Sequence, residues 1–146
     1  MESRSIAAIK YIDAPELFKW LQLGHSASNE PFRIIDVRGS DHVGGHIKGS
    51  FNVPYRQIRD DEDKCRELRD RLRSAAAGSS VVNCVFHCAL SQQRGPSAAM
   101  KFLRQLGDDD LSKFKIYVLR GGFNHWQSLY GEDQSVTESY QKDLWM

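Results

Sequence analysis

Cys88 and Arg94 are separated by five residues, and His87 stands directly before the cysteine, so the segment has the pattern His-Cys-x5-Arg. An apolar run over residues 81–86 precedes it, and a helix-like pattern follows from Gly95. A cysteine between a strand end and a helix start lies beside unpaired backbone N–H groups and the positive end of the helix dipole. Both features favour a bound tetrahedral anion and a thiolate. The segment therefore predicts an oxyanion-binding loop with a nucleophile at its floor.

The parts of this loop would divide the chemistry between them. Arg94 carries a planar fork of N–H donors that matches two oxygens of an oxyanion. We expect the loop residues to line the anion cradle with their backbone amides: Ala89, Leu90, Ser91, Gln92, Gln93 and Arg94. The alternative interpretation is a buried core cysteine and an unrelated surface arginine, since cysteine often serves as a small apolar residue.

The composition is that of one ordinary globular domain of 146 residues with a formal charge of +1 at pH 7. No basic stripe with interleaved aromatic residues predicts nucleic-acid binding. No apolar run approaches the length of a membrane helix, and the first residues lack the layout of a signal peptide, so we expect no membrane association. The odd count of three cysteines favours a reducing, cytoplasmic compartment over disulfides. The cysteines and histidines show no metal-ligand spacing, so we expect no metal site.

Strand-like and helix-like segments alternate along the chain. The predicted strands cover residues 7–12, 32–37, 50–53, 81–86 and 115–119. The predicted helices cover the stretch from Asp13 to Gly24, residues 56–77, the stretch from Gly95 to about Leu106, and a segment around Trp126. This alternation predicts an α/β fold with a mostly parallel central sheet, flanked by helices on both faces. Residues 1–130 would form this domain, and the polar residues 131–146 a C-terminal tail.

Local patterns add detail to these elements. Asp13 and Glu16 have the spacing of a capping box at a helix start. Residues 38–49 form a glycine-rich turn region with room for a short helical piece. One face of the charged segment 56–77 carries apolar residues at helical spacing. These residues are Ile58, Cys65, Leu68 and Leu72.

Two further motifs stand at the same edge of the predicted sheet as the loop. In parallel sheets, ligands bind at the carboxyl ends of the strands. Arg38 and the pair Gly121-Gly122 each follow a predicted strand, as Cys88 does. We therefore expect them at the same rim.

Three segments outside the loop resemble the signatures of the rhodanese superfamily. They run from Ile35 to Arg38, from Gly45 to Pro54 and from Leu119 to Trp126. The resemblance extends over about residues 6–130 and implies a single rhodanese-like domain. A sulfurtransferase of this superfamily typically has one residue fewer between cysteine and arginine. The longer loop is similar to those of cell-cycle dual-specificity phosphatases and of eukaryotic arsenate/antimonate reductases.

The resemblance implies a role for each conspicuous residue. Cys88 would be the catalytic nucleophile, and Arg94 would be the clamp for the oxyanion. His87 would tune the thiolate and hold the loop. Asp36 and His46 match family positions that are implied to be structural.

The leaving group separates the phosphatase from the reductase interpretation. A phosphatase expels an alkoxide or phenoxide and benefits from a general acid. Ala89 and Gln93 stand where the cell-cycle phosphatases carry carboxylates. An acid from elsewhere, such as Asp41 or one of residues 108–110, would have to reach the loop. Reduction needs less, because the thiolate attacks arsenic(V), water leaves, and a second thiol releases arsenic(III).

The second thiol has no evident source in the chain. Val37 stands where the cell-cycle phosphatases have a protective cysteine. Cys84 precedes Cys88 along a predicted strand, which would separate their Cα atoms by about 13 Å, too far for a disulfide. Cys84 and Cys65 are therefore expected to be core residues. The resemblance implies an external reductant, glutathione with a glutaredoxin, and no bound cofactor.

These arguments together predict a thiol-dependent arsenate/antimonate reductase with some phosphatase activity. The main alternative is a protein tyrosine or dual-specificity phosphatase that forms a phosphocysteine intermediate. A sulfurtransferase and a non-enzymatic oxyanion-binding or interaction domain are weaker alternatives. The expected ligands are arsenate, antimonate, phosphate or a phosphoester, and the expected protein partner is glutaredoxin.

Overall fold

A computed structural model describes residues 6–76 and 78–145 of the chain. Its strands are β1 (Ile9–Ile12), β2 (Phe32–Asp36), β3 (His46–Ile47), β4 (Phe51–Asn52), β5 (Val82–His87), β6 (Phe114–Leu119) and β7 (Thr137–Glu138). Five of them form the central sheet in the order β1-β6-β5-β2-β4, and all neighbouring strands in it are parallel. β3 and β7 form a separate antiparallel pair. The predicted parallel central sheet is confirmed.

Helices cover both faces of this sheet. They are α1 (Ala14–Leu23), α2 (Tyr55–Asp60), α3 (Glu62–Ala75), α4 (Arg94–Gln105) and α5 (Gly122–Tyr130), with short 3-10 turns over Ile6–Ala8, Leu111–Lys113 and Lys142–Trp145. Successive residues of a strand point to opposite faces. Accordingly, Ile35 packs in one core with apolar residues of α2, α3 and α4, whereas Ile34 packs in another with those of α1 and α5. Within the described residues, no helix has the length and apolar character needed to cross a membrane.

β5 is the middle strand of the sheet, and all six of its residues are buried. A strand that is covered on both faces reads as a continuous apolar run, which is why it is detectable in the sequence. Its polar residue Asn83 is satisfied, because the side chain donates to Glu30 Oε1 and to Pro31 O, each at 3.1 Å. The strand ends at His87 and delivers Cys88 to the carboxyl edge of the sheet.

The start of α1 differs from the predicted capping box. Asp13 is the N-cap residue, but its side chain makes no capping hydrogen bond. Its Oδ1 accepts instead from Nε of Arg120 at 2.9 Å, and Glu16 Oε1 accepts from Trp20 Nε1 at 3.3 Å. A cationic donor gives a carboxylate a stronger hydrogen bond than a neutral amide does. The capping-box prediction is therefore wrong, while Gly24 ends the helix as expected, with φ of 83°.

The charged segment after β4 forms two helices rather than one. Asp61 has extended backbone angles between α2 and α3, and its side chain accepts hydrogen bonds from the N–H groups of Asp63 and Lys64. It is therefore an N-cap residue, and the prediction of one helix over residues 56–77 is wrong. Ala77 lies outside the described residues. The predicted inward face is confirmed, since its members are buried: Ile58, Cys65, Leu68 and Leu72.

The polar C-terminal segment packs onto the domain. Strand β7 of the C-terminal segment pairs with β3, which belongs to the turn region 38–49. That turn region contains no helix. Val136 is fully buried, and the ring of Trp145 lies 5.4 Å from the ring of Phe123 between centroids. Residues 131–145 are thus part of the packed structure, although their composition predicted a tail.

Candidate active site

Cys88 follows β5 directly and is nearly buried, with 3 % of its surface exposed. Its Sγ accepts a hydrogen bond from the backbone N–H of Ser91, with 3.2 Å between nitrogen and sulfur. Ser91 Oγ in turn accepts from the N–H of Cys88 at 3.4 Å. Ser91 has a φ of +57°, a left-handed conformation that turns the chain back over the cysteine. An amide directed at the sulfur is the kind of donor that a thiolate requires.

The first turn of α4 packs against the start of the loop. A Cβ on Gly95 would lie 3.4 Å from His87 Cα and equally far from Ser91 Oγ, so this turn of the helix is in van der Waals reach of the loop. The N-cap residue Gln93 makes no side-chain capping hydrogen bond. The first N–H groups of the helix are therefore available to an anion. The helix begins at Arg94, one residue earlier than the sequence predicts.

The N-terminus of α5 also holds the loop. The N–H of Phe123 donates to Cys88 O at 2.9 Å, and that of Asn124 donates to Ala89 O at 2.8 Å. Gly122 has a φ of +58°, and a Cβ there would lie 2.5 Å from each of the two carbonyl oxygens. Glycine is required at such a close approach. The glycine expected at this rim therefore contacts the loop backbone directly.

His87 is fully buried and contacts the backbone of the loop. Its Nδ1 lies 3.0 Å from Cys88 O. Burial lowers the pKa of His87, so the ring is neutral near pH 7 and its Nδ1–H donates to that carbonyl. Its Nε2 lies 3.9 Å from Asp36 Oδ2 and has no hydrogen-bond partner among the described residues. The contact is consistent with a residue that holds the loop, while the tuning of the thiolate stays a prediction.

A buried ion pair stands beneath this histidine. Asp36 and Arg38 are both fully buried, and Nε and Nη2 of Arg38 donate to the carboxylate at 2.7–3.1 Å. Nη2 also donates to Gly45 O at 2.8 Å, and the guanidinium lies 4.4 Å from the centroid of the Phe123 ring. Because a buried pair is tolerated only when it is well hydrogen-bonded, these contacts fix the turn after β2. His46, by contrast, is half-buried and lies outside this buried group, with Nε2 3.2 Å from Glu138 Oε1.

The clamp residue binds a carboxylate that comes from another loop. Nη1 and Nη2 of Arg94 donate to Oδ1 and Oδ2 of Asp41 at 2.8 and 2.6 Å. The hydrogen bonds from Arg94 lower the pKa of Asp41 to about 2. The pKa of Arg94 is raised, first by its hydrogen bonds to Asp41 and further by the nearby Cys88 side chain. The charges of these three side chains therefore influence one another. The sequence spacing Cys-x5-Arg identifies Cys88 and Arg94 as partners, but it does not identify Asp41.

The side chains of the remaining loop residues do not build the cradle floor. Leu90, Gln92 and Gln93 are exposed, and Ala89 is half-buried. In the described part of the chain, the amide that donates to the sulfur of Cys88 is that of Ser91. The anion-binding task of the other amides stays a prediction.

The two other cysteines lie in the core. Sγ of Cys65 donates to Ile58 O at 3.0 Å, and burial raises the pKa of both Cys65 and Cys84. All three cysteines are free, so the prediction that Cys65 and Cys84 are packing residues is confirmed. In the described part of the chain, no group of three or more His, Cys, Asp or Glu residues is arranged to hold a metal ion.

Comparisons with known proteins connect this geometry to characterised relatives. The sequence profile of the rhodanese-like domain matches residues 18–129. Over 147 aligned residues, which cover 99 % of both chains, this chain is 51 % identical to the CDC25-like phosphatase YCH1 of Saccharomyces cerevisiae. It also matches the crystal structure of Saccharomyces cerevisiae Ygr203w, a homologue of single-domain rhodanese and the Cdc25 phosphatase catalytic domain. The TM-score is 0.97 at 50 % identity, with 100 % of this chain and 97 % of that chain covered.

An arsenic and antimony enzyme is a more distant relative. The structure of the As-Sb reductase from Leishmania major matches with a TM-score of 0.66 and 30 % identity, covering 86 % of this chain and 81 % of that chain. The homologue of the Cdc25 catalytic domain and the As-Sb reductase therefore share one fold with this chain, and the reductase is the less similar of the two.

Proposed function

Since this chain belongs to the family of rhodanese-like domains, we propose that it is a phosphomonoester hydrolase of the protein tyrosine or dual-specificity type, with Cys88 as its nucleophile. The observation that carries this proposal is the hydrogen bond from the backbone N–H of Ser91 to the Cys88 sulfur. The Arg94 guanidinium is close enough to this sulfur for Cys88 to raise the pKa of the arginine. The similarity to a CDC25-like phosphatase over 99 % of both chains supports hydrolysis.

The contact between Asp41 and Arg94 weakens the argument that favoured arsenate reduction. That argument rested on the absence of Asp and Glu from residues 89–93. Asp41 lies far from the loop in sequence, yet both of its carboxylate oxygens accept hydrogen bonds from the clamp. A carboxylate therefore stands at the anion site even though the loop contains none, and the loop composition no longer argues against ester hydrolysis.

In the proposed reaction, the Cys88 thiolate attacks the phosphorus atom of the ester. A sulfur–phosphorus bond forms while the bond from phosphorus to the ester oxygen breaks. Arg94 and the loop amides stabilise the charge that develops on the non-bridging oxygens. Water then attacks the phosphocysteine, which releases phosphate and restores the thiolate. His87 keeps the loop backbone in place through its hydrogen bond to Cys88 O.

Arsenate or antimonate reduction is the second candidate, supported by 30 % identity to the As-Sb reductase from Leishmania major. The same thiolate would attack arsenic(V) and displace water. A glutathione thiol would then attack the Cys88 sulfur and release arsenic(III). This step would leave Cys88 and glutathione joined in a mixed disulfide, which a glutaredoxin would reduce. An external thiol suits this chain, since Cys65 and Cys84 are enclosed in the core.

Parallel assays on one preparation separate these candidates. We expect wild type to hydrolyse p-nitrophenyl phosphate, and Cys88→Ser to lose about 10³-fold or more of that turnover. Rapid chemical quenching should trap a phosphocysteine in wild type. The control Cys65→Ser changes a buried thiol of α3 and should retain turnover. A folded Cys88→Ser protein with turnover equal to that of wild type would contradict the proposal.

The alternatives each have their own readout in the same experiment. Arsenate reduction that depends on glutathione and glutaredoxin, without ester hydrolysis, would indicate that the protein is a reductase and not a hydrolase. Thiocyanate formed from thiosulfate and cyanide would indicate a sulfurtransferase. Phosphate binding without turnover of any substrate would indicate an oxyanion-binding domain.

A further inference from the structure

The carboxylate that binds the clamp belongs to the loop between β2 and β3. Asp41 is anchored there, since its Oδ1 also accepts from the N–H of Gly39 at 3.0 Å. Its side chain is 42 % exposed and that of Arg94 is 36 % exposed, so the pair stands at the mouth of the site and meets solvent. A carboxylate in this position is accessible to water.

An oxyanion and Asp41 require the same donors of the clamp. Both oxygens of Asp41 are bound to the two terminal nitrogens of Arg94, which is the fork that would bind two oxygens of a phosphate. An entering oxyanion therefore displaces Asp41. The displaced carboxylate then faces an anion in place of a cation, and a nearby like charge favours its protonated form.

We propose that Asp41 is the proton donor to the leaving oxygen, and that Arg94 holds it as a carboxylate until an oxyanion takes the clamp. This inference rests on the proposed hydrolase function and assigns the acid which that function needs. After displacement, Asp41 takes a proton from solvent or from the monoanionic ester. As the sulfur–phosphorus bond forms and the phosphorus–oxygen bond breaks, this proton passes to the ester oxygen, and the product leaves as an alcohol or phenol. The carboxylate so formed accepts a proton from the water that later attacks the phosphocysteine.

Other carboxylates are less suited to this task. Asp36 is fully buried beneath the loop and bound to Arg38. Asp110 lies 3.3 Å from Arg73 and 4.0 Å from Lys113 in its ion pairs, remote from the clamp. Among the described residues, Asp41 is the carboxylate that combines contact with the clamp and access to solvent.

The test compares Asp41→Asn with wild type on a series of aryl phosphates whose leaving groups range from acidic to weakly acidic phenols. An expelled oxygen of low basicity needs no proton, whereas phenoxide does. We expect Asp41→Asn to lose about 10²-fold in kcat with phenyl phosphate and little with 2,4-dinitrophenyl phosphate. The control is Asp60→Asn, which removes a carboxylate bound in the same two-point manner by Arg59 on the exposed face of α2. It should leave the whole series unchanged.

Binding of tungstate, an unreactive oxyanion, distinguishes a proton donor from a residue that only positions the clamp. Because Asp41 competes for Arg94, Asp41→Asn should bind tungstate at least as tightly as wild type. If Asp41→Asn binds tungstate more weakly than wild type and loses the same factor in kcat with every ester, the donor role is overturned and the hydrolase function stays intact. Wild type that hydrolyses none of the esters would overturn the hydrolase function, and the donor role with it.

Discussion

The backbone N–H of Phe123 donates to the carbonyl oxygen of Cys88 at 2.9 Å. Helix α5 is thereby attached to the residue that carries the nucleophile. The contact needs Gly122 before it, because a side chain there would enter the space of the Cys88 and Ala89 carbonyl oxygens. Gly122 therefore allows the positive φ at the start of α5 and also the close approach of α5 to the loop.

Replacement of this glycine tests that contact. Gly122→Ala should lower the free energy of unfolding and reduce turnover, because the Cβ would lie 2.5 Å from two carbonyl oxygens. Gly24→Ala is a matched control, since Gly24 also has a positive φ but nothing within 4 Å of the added atom. The control should cost about 1–2 kcal/mol in urea unfolding, and Gly122→Ala about 1–3 kcal/mol more. Equal costs and unchanged turnover would contradict the proposed contact.

The buried histidine should make stability depend on pH. Burial lowers the pKa of His87, and the charges of Arg38 and His42 lower it further, whereas the negative charge of Asp36 acts in the opposite direction. The folded state therefore binds fewer protons than the unfolded state below the ordinary pKa of about 6.5. The free energy of unfolding should fall as pH drops below that value.

His87→Gln removes this titration and should flatten the decline between pH 7 and pH 5, as measured by urea unfolding at several pH values. It should also lower stability at pH 7, since a hydrogen bond to Cys88 O is altered. His125→Gln, at an exposed position, is the control and should follow wild type. Parallel curves for wild type and His87→Gln would show that another group governs the pH dependence.

The cysteines should differ in their reaction with iodoacetamide. Burial raises the pKa of the Cys65 and Cys84 thiols, and both side chains are fully enclosed. The sulfur of Cys88 has an amide donor and the guanidinium of Arg94 beside it. Native protein at pH 7 should therefore be labelled first at Cys88, as peptide mass mapping would show, and phosphate should slow that labelling. Equal labelling of the three thiols, or no protection by phosphate, would argue against an anion site at this cysteine.

The packing of the C-terminal segment predicts a cost for truncating Val136. Val136→Ala should lower the free energy of unfolding by about 2 kcal/mol, because the side chain is fully buried. Val43→Ala removes the same atoms from a side chain that is 57 % exposed and should cost little. Urea unfolding measures both. Equal and small effects would mean that the segment contributes little to the stability of the domain in solution.

The features that were predictable from the sequence are set by neighbours along the chain. β5 is recognisable because burial on both faces demands a continuous apolar run. The spacing of Cys88 and Arg94 is informative because one short loop and one helix start lie between them. The inward face of α3, with Cys65 and Leu68, follows from helical periodicity alone.

Two contacts that the sequence does not reveal depend on partners that are distant in sequence. Asp13 has the right spacing for a capping box, but Arg120, brought close by the pairing of β1 with β6, takes its carboxylate. Asp41 reaches Arg94 across 53 positions, and no periodicity encodes such a contact. The break at Asp61, by contrast, has a local signal in the sequence: an aspartate whose side chain can cap the N–H groups of the polar residues that follow it.

The position of the nucleophile is held largely by main-chain atoms, with Ser91 N on the sulfur and Phe123 N on the Cys88 carbonyl. The side chains of Leu90, Gln92 and Gln93 point into solvent and take no part in that support. Evolution can therefore exchange these three side chains without dismantling the reactive centre. Changes at these three positions can therefore alter substrate preference while the support of Cys88 stays the same. They are also suitable positions for directed mutagenesis of specificity.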